Sequence, residues 1–364
     1  MKNRLWVVFT ILGLVAMGAG LIQQPLPFFQ KSLQMGKTPD NKDLWKQVDS
    51  LAAQGLPQSA LELVDGIYSR ALESGDMPVF LKAALYQLKL RSEFEEDYIP
   101  VYISETEKKL SKTPEPARQI LHSVLADLYW QYYQQNRYRI LDRTAVLGNP
   151  TADMDTWDAS VFVKKASAHY MASLKKTALL QSVSLKMYDP VLLTAEGSKK
   201  FRPTLFDFLT HRAIEFFRNE EASITRPVNP FVMRDPGLLD LPEQFTKLEI
   251  ITSDSTAFHF RAILLLQQAE IFHQNDTDPA AFFDVILKRL EFVRSHINLE
   301  VKDSLYLSAL TRLESMYNGG PAAADIIAKI ADYWYSRNHT TNPVRSSSGT
   351  MPPKNTSLST ARSW

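Results

Sequence analysis

Histidine is the side chain in this sequence best suited to acid–base and metal chemistry, but its spacing forms no familiar site. No two histidines stand four residues apart with a glutamate directly after the first, as a zinc site on one helix requires. We therefore interpret each as a helix-face or core-edge residue and expect no metal site. The seven histidines lie at positions 122, 169, 211, 259, 273, 296 and 339.

Other residue types that carry out catalysis are absent or badly spaced. None of the 364 residues is cysteine, which excludes thiol catalysis, thiolate metal sites and thioester chemistry within the chain. The sequence also has no G-x-S-x-G elbow, no phosphate-binding glycine loop and no dinucleotide fingerprint. Acidic residues at 93–97 are adjacent at a helix start, where their negative charge interacts favourably with the helix dipole. Glycosidase carboxylates, in contrast, face each other across a cleft. We expect no enzymatic activity, no catalytic residue and no cofactor.

A group of aromatic residues is the main candidate for binding. Such rings stack on sugars or bases, but their helical spacing favours packing in a protein core. The alternative is an interaction surface formed by Tyr129, Trp130, Tyr133, Arg137 and Tyr138. Nucleic acid is not an expected partner, because 41 basic and 40 acidic residues leave a net charge of only +1.

Apolar residues recur with a helical period from about residue 42 onward. Segments 57–72 and 77–93 flank Gly75 and Asp76, which predicts a helical hairpin with a short turn. Residues 204–218 predict a further helix. Another is expected near Asp155, with Asp155 or Thr156 as its N-cap. A central, buried helix is predicted by the stripe Leu121, Leu125, Leu128 and Tyr132.

The last third of the chain contains four helical stripes in close succession. Helix starts recur about every 43 to 46 residues, longer than the roughly 34 of a tetratricopeptide repeat. We predict an all-α fold, an irregular array of antiparallel helical hairpins of the α-solenoid, tetratricopeptide-like type. The stripes are Phe258, Ala262, Leu265, Ala269, Phe272; Phe283, Ile286, Leu290, Val293; Tyr306, Leu310, Leu313, Tyr317; and Ala323, Ile327, Ile330, Trp334.

The two ends of the chain differ from this helical region. Lys2 and Arg4 precede an apolar run at 5–15 and small residues up to 20, which is typical of a cleaved signal peptide. The run is shorter than the roughly 20 residues of a membrane span. We predict a signal peptide at 1–20, an extended leader at 21–41, a helical domain at 42–336 with a candidate internal break near 223–243, and a disordered tail at 337–364. The mature protein is then exported, to the periplasm or cell surface, without a membrane span.

Three blocks of the sequence carry a resemblance to a known family. Residues 44–72, LWKQVDSLAAQGLPQSALELVDGIYSRAL, resemble the start of the mature region of very large bacterial alpha-2-macroglobulin-like proteins, with its W-x-x-V-D-S-L-x-x-x-G-L-P-x-S-A-L pattern. Residues 125–144, LADLYWQYYQQNRYRILDRT, and 202–217, RPTLFDFLTHRAIEFF, are also similar. Trp157 stands where that family places Trp. The similarity is collinear over about residues 42–336.

The resemblance implies a helical region that precedes the macroglobulin domains of an endopeptidase-inhibitor family. The bait region and the Cys-Gly-Glu-Gln thioester of that family lie in its later part, so none of those residues transfers to this chain. The tail at 337–364 differs from the family, as a truncated gene or a shifted reading frame would produce. We expect a non-catalytic accessory region that contacts its own macroglobulin domains or another periplasmic or surface protein. The alternative is a stand-alone exported helical protein that binds carbohydrate or peptide.

Overall fold

The computed structural model describes residues 41–143, 151, 153–192, 194–219, 231–317 and 321–340. Within these ranges the chain is helical, and its single β-type contact is an isolated bridge between Ser184 and Thr204. The all-α prediction is confirmed for this part of the chain. The helices are α1 (Asn41–Ala53), α2 (Pro57–Ser74), α3 (Met77–Phe94), α4 (Tyr98–Leu110), α5 (Ala117–Gln135), α6 (Arg137–Leu141), α7 (Ala159–Ser173), α8 (Thr177–Ser182), α9 (Leu205–Phe217), α10 (Pro242–Phe245), α11 (Phe258–His273), α12 (Ala280–His296), α13 (Lys302–Met316) and α14 (Pro321–Thr340).

The first three helices pack around a small core of their own. Pro57 occupies the first turn of α2, and Gly75 ends that helix in the left-handed conformation, with φ of 73°. Asp76 then caps α3 by accepting a hydrogen bond from a backbone N–H of its first turn. These signals produce the hairpin that the sequence predicts. Trp45 of α1 packs on Tyr86 of α3, with ring centroids 4.8 Å apart.

Helix α5 lies at the centre of the described fold. It packs against α4 and, more extensively, against α7. All four residues of its predicted stripe are buried, and Leu128 has no exposed surface. The prediction of a central helix is confirmed.

Helix α7 begins later than the sequence suggests. Residues Met154–Thr156 form a single 3₁₀ turn, and Trp157 follows in an extended conformation with its ring buried. Asp158, not Asp155, accepts the backbone hydrogen bonds of the first turn of α7. The predicted cap at Asp155 or Thr156 is wrong because burial of Trp157 interrupts the helix between them and Ala159.

The helix predicted at 204–218 is present as α9. Thr204 is its N-cap and forms a reciprocal pair with Asp207, each side chain accepting a hydrogen bond from the other residue's backbone N–H. The following segment connects α9 to the last third of the chain. Residues 220–230 lie outside the described part.

The described portion of the predicted internal break belongs to one continuous core. Met233 and Leu238 are buried together with residues of α9 and α11. Arg289 of α12, with 0 % of its surface exposed, donates hydrogen bonds to the carbonyl oxygens of Leu238 and Asp240. It also pairs with the buried Glu270 of α11 at 2.6 Å. The described part of this connector is therefore held to α11 and α12.

The last four helices follow one another in antiparallel pairs, and three of their predicted stripes lie in the core. The stripe predicted for α14 is confirmed only in part, because Ala323 is buried and Ile330 packs against the core. Ile326 and Tyr333 are buried, whereas Ile327 and Trp334 are 51 % and 49 % exposed. Tyr333 turns toward α13, where its ring centroid lies 6.3 Å from that of Tyr306.

The predicted ends of the helical domain also shift. Asn41, assigned to the leader, begins α1, and α14 continues through residues 337–340, which were assigned to the tail. The predicted signal peptide, the rest of the leader and residues 341–364 lie outside the described part. None of the described helices is long and apolar enough to cross a membrane.

Candidate functional site

A cleft of about 700 Å³ opens between α4, the carboxyl-terminal half of α5 and the segment around residues 151–157. Its wall on α4 presents Val101, Ser104 and Lys108, which lie on one face of that helix at spacings of three and four. Val101 is 48 % exposed. This wall combines an apolar patch, a hydroxyl and a cation.

The opposite wall is the segment from Thr151 to Trp157. The Trp157 indole N–H donates to the Thr151 carbonyl oxygen at 2.8 Å, and Arg143 donates to the Trp157 carbonyl oxygen at 2.8 Å. Asp155 faces the cleft with its side chain 60 % exposed and pairs with Arg139 at 3.0 Å. The segment is thereby fixed as a polar wall with backbone and carboxylate groups at its surface.

A buried polar network around Glu107 forms the floor of the cleft. Three donors converge on its Oε1 atom from two other helices: the Tyr129 hydroxyl at 2.8 Å, His169 Nε2 at 3.0 Å and Lys165 Nζ at 3.1 Å. Tyr129 lies on α5, and His169 and Lys165 lie on α7. One carboxylate of α4 therefore ties together the three helices that shape the cleft.

The protonation states in this network follow from its surroundings. Burial alone would raise the pKa of Glu107, but the hydrogen bonds from His169, Tyr129 and Lys165 and the charge of Lys165 lower it to about 2. Burial, together with the Glu107 charge, raises the pKa of the Tyr129 hydroxyl. Glu107 is therefore an ionised acceptor and Tyr129 a neutral donor at any physiological pH.

The network continues from His169 to His122, away from Glu107. Their Nδ1 atoms lie 2.9 Å apart, a contact that requires one N–H group and one lone pair. A single proton therefore lies between the two Nδ1 atoms. Burial, followed by the charge of His169, lowers the pKa of His122 to about 4, so His122 is uncharged at neutral pH.

A second buried polar cluster lies between α9 and α11. His273 contacts Asp207 through Nε2 and Asp276 through Nδ1, each at 2.6 Å, and both His273 and Asp207 are almost fully buried. Burial lowers the pKa of His273, but the hydrogen bonds and charges of the two carboxylates raise it above its ordinary value. The contact between His273 and Asp207 joins these two helices.

The five residues predicted as an interaction surface are not brought together on one. Tyr129 and Tyr133 are each 1 % exposed, so core packing is confirmed for them. Trp130 is half-buried and packs against Tyr133 and Phe216. Arg137 is also half-buried, and only Tyr138, 87 % exposed, is a surface residue. Tyr129 nevertheless reaches the floor of the cleft.

The residues that build the cleft floor carry little signal in the sequence. Glu107 and Lys165 are 58 positions apart, and each resembles an ordinary charge on a helix. His122 and His169 are 47 positions apart and meet only because α5 and α7 pack side by side. Within the described ranges no group of His, Asp and Glu side chains is arranged to hold a metal ion.

Comparisons with known proteins give no match. No protein family, no curated protein and no solved structure matches the chain.

Proposed function

We propose that this chain is a non-catalytic interaction region of an exported alpha-2-macroglobulin-like protein. The observation that carries the proposal is the cleft between α4 and residues 151–157, which we propose takes an extended polypeptide segment. In this view the segment belongs to the macroglobulin domains of the same protein or to a periplasmic or surface partner.

The composition of the cleft suits a polypeptide. Val101 gives an apolar contact, Lys108 an exposed ammonium group and Asp155 an exposed carboxylate. The hydroxyls of Ser104 and Thr151 can pair with peptide N–H and C=O groups. An extended segment offers all of these chemistries along its length, whereas a purely apolar or purely anionic ligand would use only part of the cleft.

The state of the polar floor favours binding over catalysis. Every donor that reaches Glu107 Oε1 comes from the protein itself, and the low pKa of Glu107 removes it as a general acid. The neutral Tyr129 is likewise held as a hydrogen-bond donor. These groups support the walls of the cleft.

The family assignment is supported by the positions of the three similar blocks. Residues 44–72 supply much of the amino-terminal core, 125–144 include the carboxyl-terminal half of the central helix α5, and 202–217 include α9 with its cap. Residues shared with the family would therefore preserve the helical array itself.

The second candidate, a stand-alone carbohydrate-binding protein, fits the cleft less well. Sugar stacking needs an exposed aromatic face, and Tyr129, Tyr132 and Trp157 are 1 %, 8 % and 5 % exposed. Their rings are covered by neighbouring helices, so only edges reach the cleft. Reading the DNA downstream of the codon for Trp364 in all frames separates the two candidates, because macroglobulin domains encoded there favour the first.

A binding experiment tests the proposal directly. The full chain is titrated by calorimetry with separately expressed macroglobulin domains encoded in the same genome. Val101→Asp, in the cleft wall, is expected to weaken binding at least about tenfold, the equivalent of about 1.4 kcal/mol. Val301→Asp is the matched control, since Val301 is 57 % exposed and lies at the start of α13, far along the chain from the cleft.

Two results would overturn the proposal. One is equal binding by wild type and Val101→Asp, which would place the interface elsewhere. The other is a chain that binds no macroglobulin domain but binds members of an oligosaccharide panel, which would favour the stand-alone carbohydrate-binding protein.

A further inference from the structure

Helix α14 presents two apolar faces, and among the described residues only one of these faces packs on other helices. Ala323, Ile326 and Tyr333 are buried against the preceding helices. On another side of the same helix, Ile327 is 51 % and Trp334 is 49 % exposed. Large apolar side chains that are exposed together on one face mark an interaction surface.

The exposed face has the spacing of a helix-packing seam. Residues 324, 327, 331 and 334 recur at intervals of three, four and three, which are the a and d positions of two heptads. Ala324 and Ala331 occupy the a positions, and Ile327 and Trp334 occupy the d positions. The neighbouring e positions, Ala328 and Tyr335, are also uncharged and exposed. We call these six residues the α14 seam.

The α14 seam is complementary to itself. In an antiparallel pair of helices, each a position faces a d position of the other helix. With a twofold axis at residue 329, Ala324 faces Trp334 of a second copy and Ile327 faces Ala331. The two large side chains at the d positions, Ile327 and Trp334, then each meet an alanine of the other copy.

We propose that the α14 seam is the contact between two copies of this chain, packed as an antiparallel helix pair. A twofold contact uses the same surface on both copies, which is what self-complementarity requires. The seam carries no charge, although 22 % of the chain is charged, so a second copy meets no buried unpaired charge. The acidic residues Asp325 and Asp332 occupy b positions, next to Ala328 and Tyr335 at the exposed edge of the seam.

The size of the seam sets the strength of this association. The six residues lie within the twelve-residue stretch 324–335, which spans about 18 Å. That length gives less than the roughly 800 Å² per partner of a standard stable interface. The dimer is therefore weak and populated only at high protein concentration. In the dimer, α14 of the second copy packs beside α14 and so extends the α13–α14 pair by one helix. This proposal is independent of the cleft and of the family assignment.

Sedimentation equilibrium of the full chain over a wide concentration range tests the proposal. Wild type is expected to pass from monomer to dimer as concentration rises. Trp334→Glu is expected to remain monomeric at the highest concentration. Ser336→Glu is the control, because position 336 is exposed on α14 but lies outside the seam. Circular dichroism confirms that each variant is folded.

A charge-pair experiment tests the antiparallel register. Ile327→Glu and Ala331→Lys are each expected to weaken self-association, because each buries a charge against an apolar side chain. An equimolar mixture is expected to restore the dimer, since residue 327 of one copy faces residue 331 of the other. A wild-type chain that stays monomeric at every concentration would overturn the proposal and leave the seam to a different partner. So would a dimer that Trp334→Glu leaves intact, or a mixture that shows no restoration.

Discussion

At the scale of single residues, two clusters of ionisable side chains, around Glu107 and His273, hold one another in place through hydrogen bonds. Glu107 accepts three hydrogen bonds beneath the cleft, and His273 lies between two carboxylates. Both arrangements join helices that are distant in the sequence. Stability should therefore depend on pH in ways that individual histidines determine.

His122 is expected to make the protein less stable in mild acid. Its folded-state pKa of about 4 lies below the ordinary value of 6.5, so the unfolded chain takes up the proton first as pH falls. Stability contributed by the neutral ring is present above pH 6.5 and is lost as pH falls toward 4. Urea unfolding at pH 7 and pH 5 should show a smaller loss for His122→Asn than for wild type.

Glu107 does not interfere with that measurement. Its folded-state pKa is about 2, against an ordinary value of 4.5, so its contribution declines only below about pH 4.5. Between pH 7 and pH 8 the free energies of unfolding of wild type and His122→Asn should change in parallel. Equal losses between pH 7 and pH 5 would mean that His122 is protonated as readily in the folded state as in the unfolded chain.

His273 is expected to contribute in the opposite direction. Its pKa is raised, so its stabilisation is fully present below pH 6.5 and is lost as pH rises through the folded-state pKa. His273→Leu leaves the Oδ1 atom of the buried Asp207 without its hydrogen-bond donor and should cost about 3–5 kcal/mol at pH 6. Asp276→Asn should cost less, because the Asp276 side chain is 35 % exposed. A His273→Leu variant as stable as wild type at pH 6 would contradict this, as would an NMR titration placing the His273 pKa below 6.5.

These residue-scale features could not be predicted from the sequence. The sequence predicts that the histidines are helix-face or core-edge residues. His122, His169 and His273 do lie on helices. Which of them meet depends on how α5 packs on α7 and how α9 packs on α11. The spacing of residues along the sequence does not determine how these helices pack.

At the scale of elements, apolar spacing determines which helix faces are buried. The stripes of α5, α11, α12 and α13 lie in the core, as their spacing predicts. Helix α14 has apolar residues on two sides, so spacing alone could not decide between Ile326 and Ile327. The start of α7 was missed because a buried tryptophan competes with the cap signal of the preceding aspartate.

The central stripe provides the test at this scale. Leu128 has no exposed surface, and Leu128→Ala should reduce the free energy of unfolding by about 2–5 kcal/mol through lost burial and a cavity. Leu72→Ala is the matched control, since Leu72 is 41 % exposed on α2 and should cost much less. Urea unfolding of both variants gives the comparison. Similar costs for the two would show that α5 is not the centre of the core.

At the scale of the whole molecule, the helical array has no counterpart of the machinery that traps a protease. Covalent capture requires a thioester cysteine, and the chain contains none. The described residues form helices and no strand, so they contribute no β-sandwich shell. The purified chain is therefore expected not to inhibit proteases.

Digestion of a large protein substrate by several endopeptidases, with and without a molar excess of the chain, checks this expectation. Unchanged digestion rates agree with an accessory role, and a macroglobulin known to inhibit the same enzymes serves as the positive control. Stoichiometric protection of the substrate would show that the helical array inhibits by itself.

The separate core of the first three helices has a consequence for how the molecule opens. Tyr68 and Val79 are among the few side chains that touch both this core and the main one, and α3 contributes a face to each. Breathing of α1 and α2 away from α3 then exposes one small core while the other stays closed. Such a unit opens at a free energy below that of global unfolding. Amides of α1 and α2 should therefore exchange with deuterium together, and earlier than those of α5 and α11.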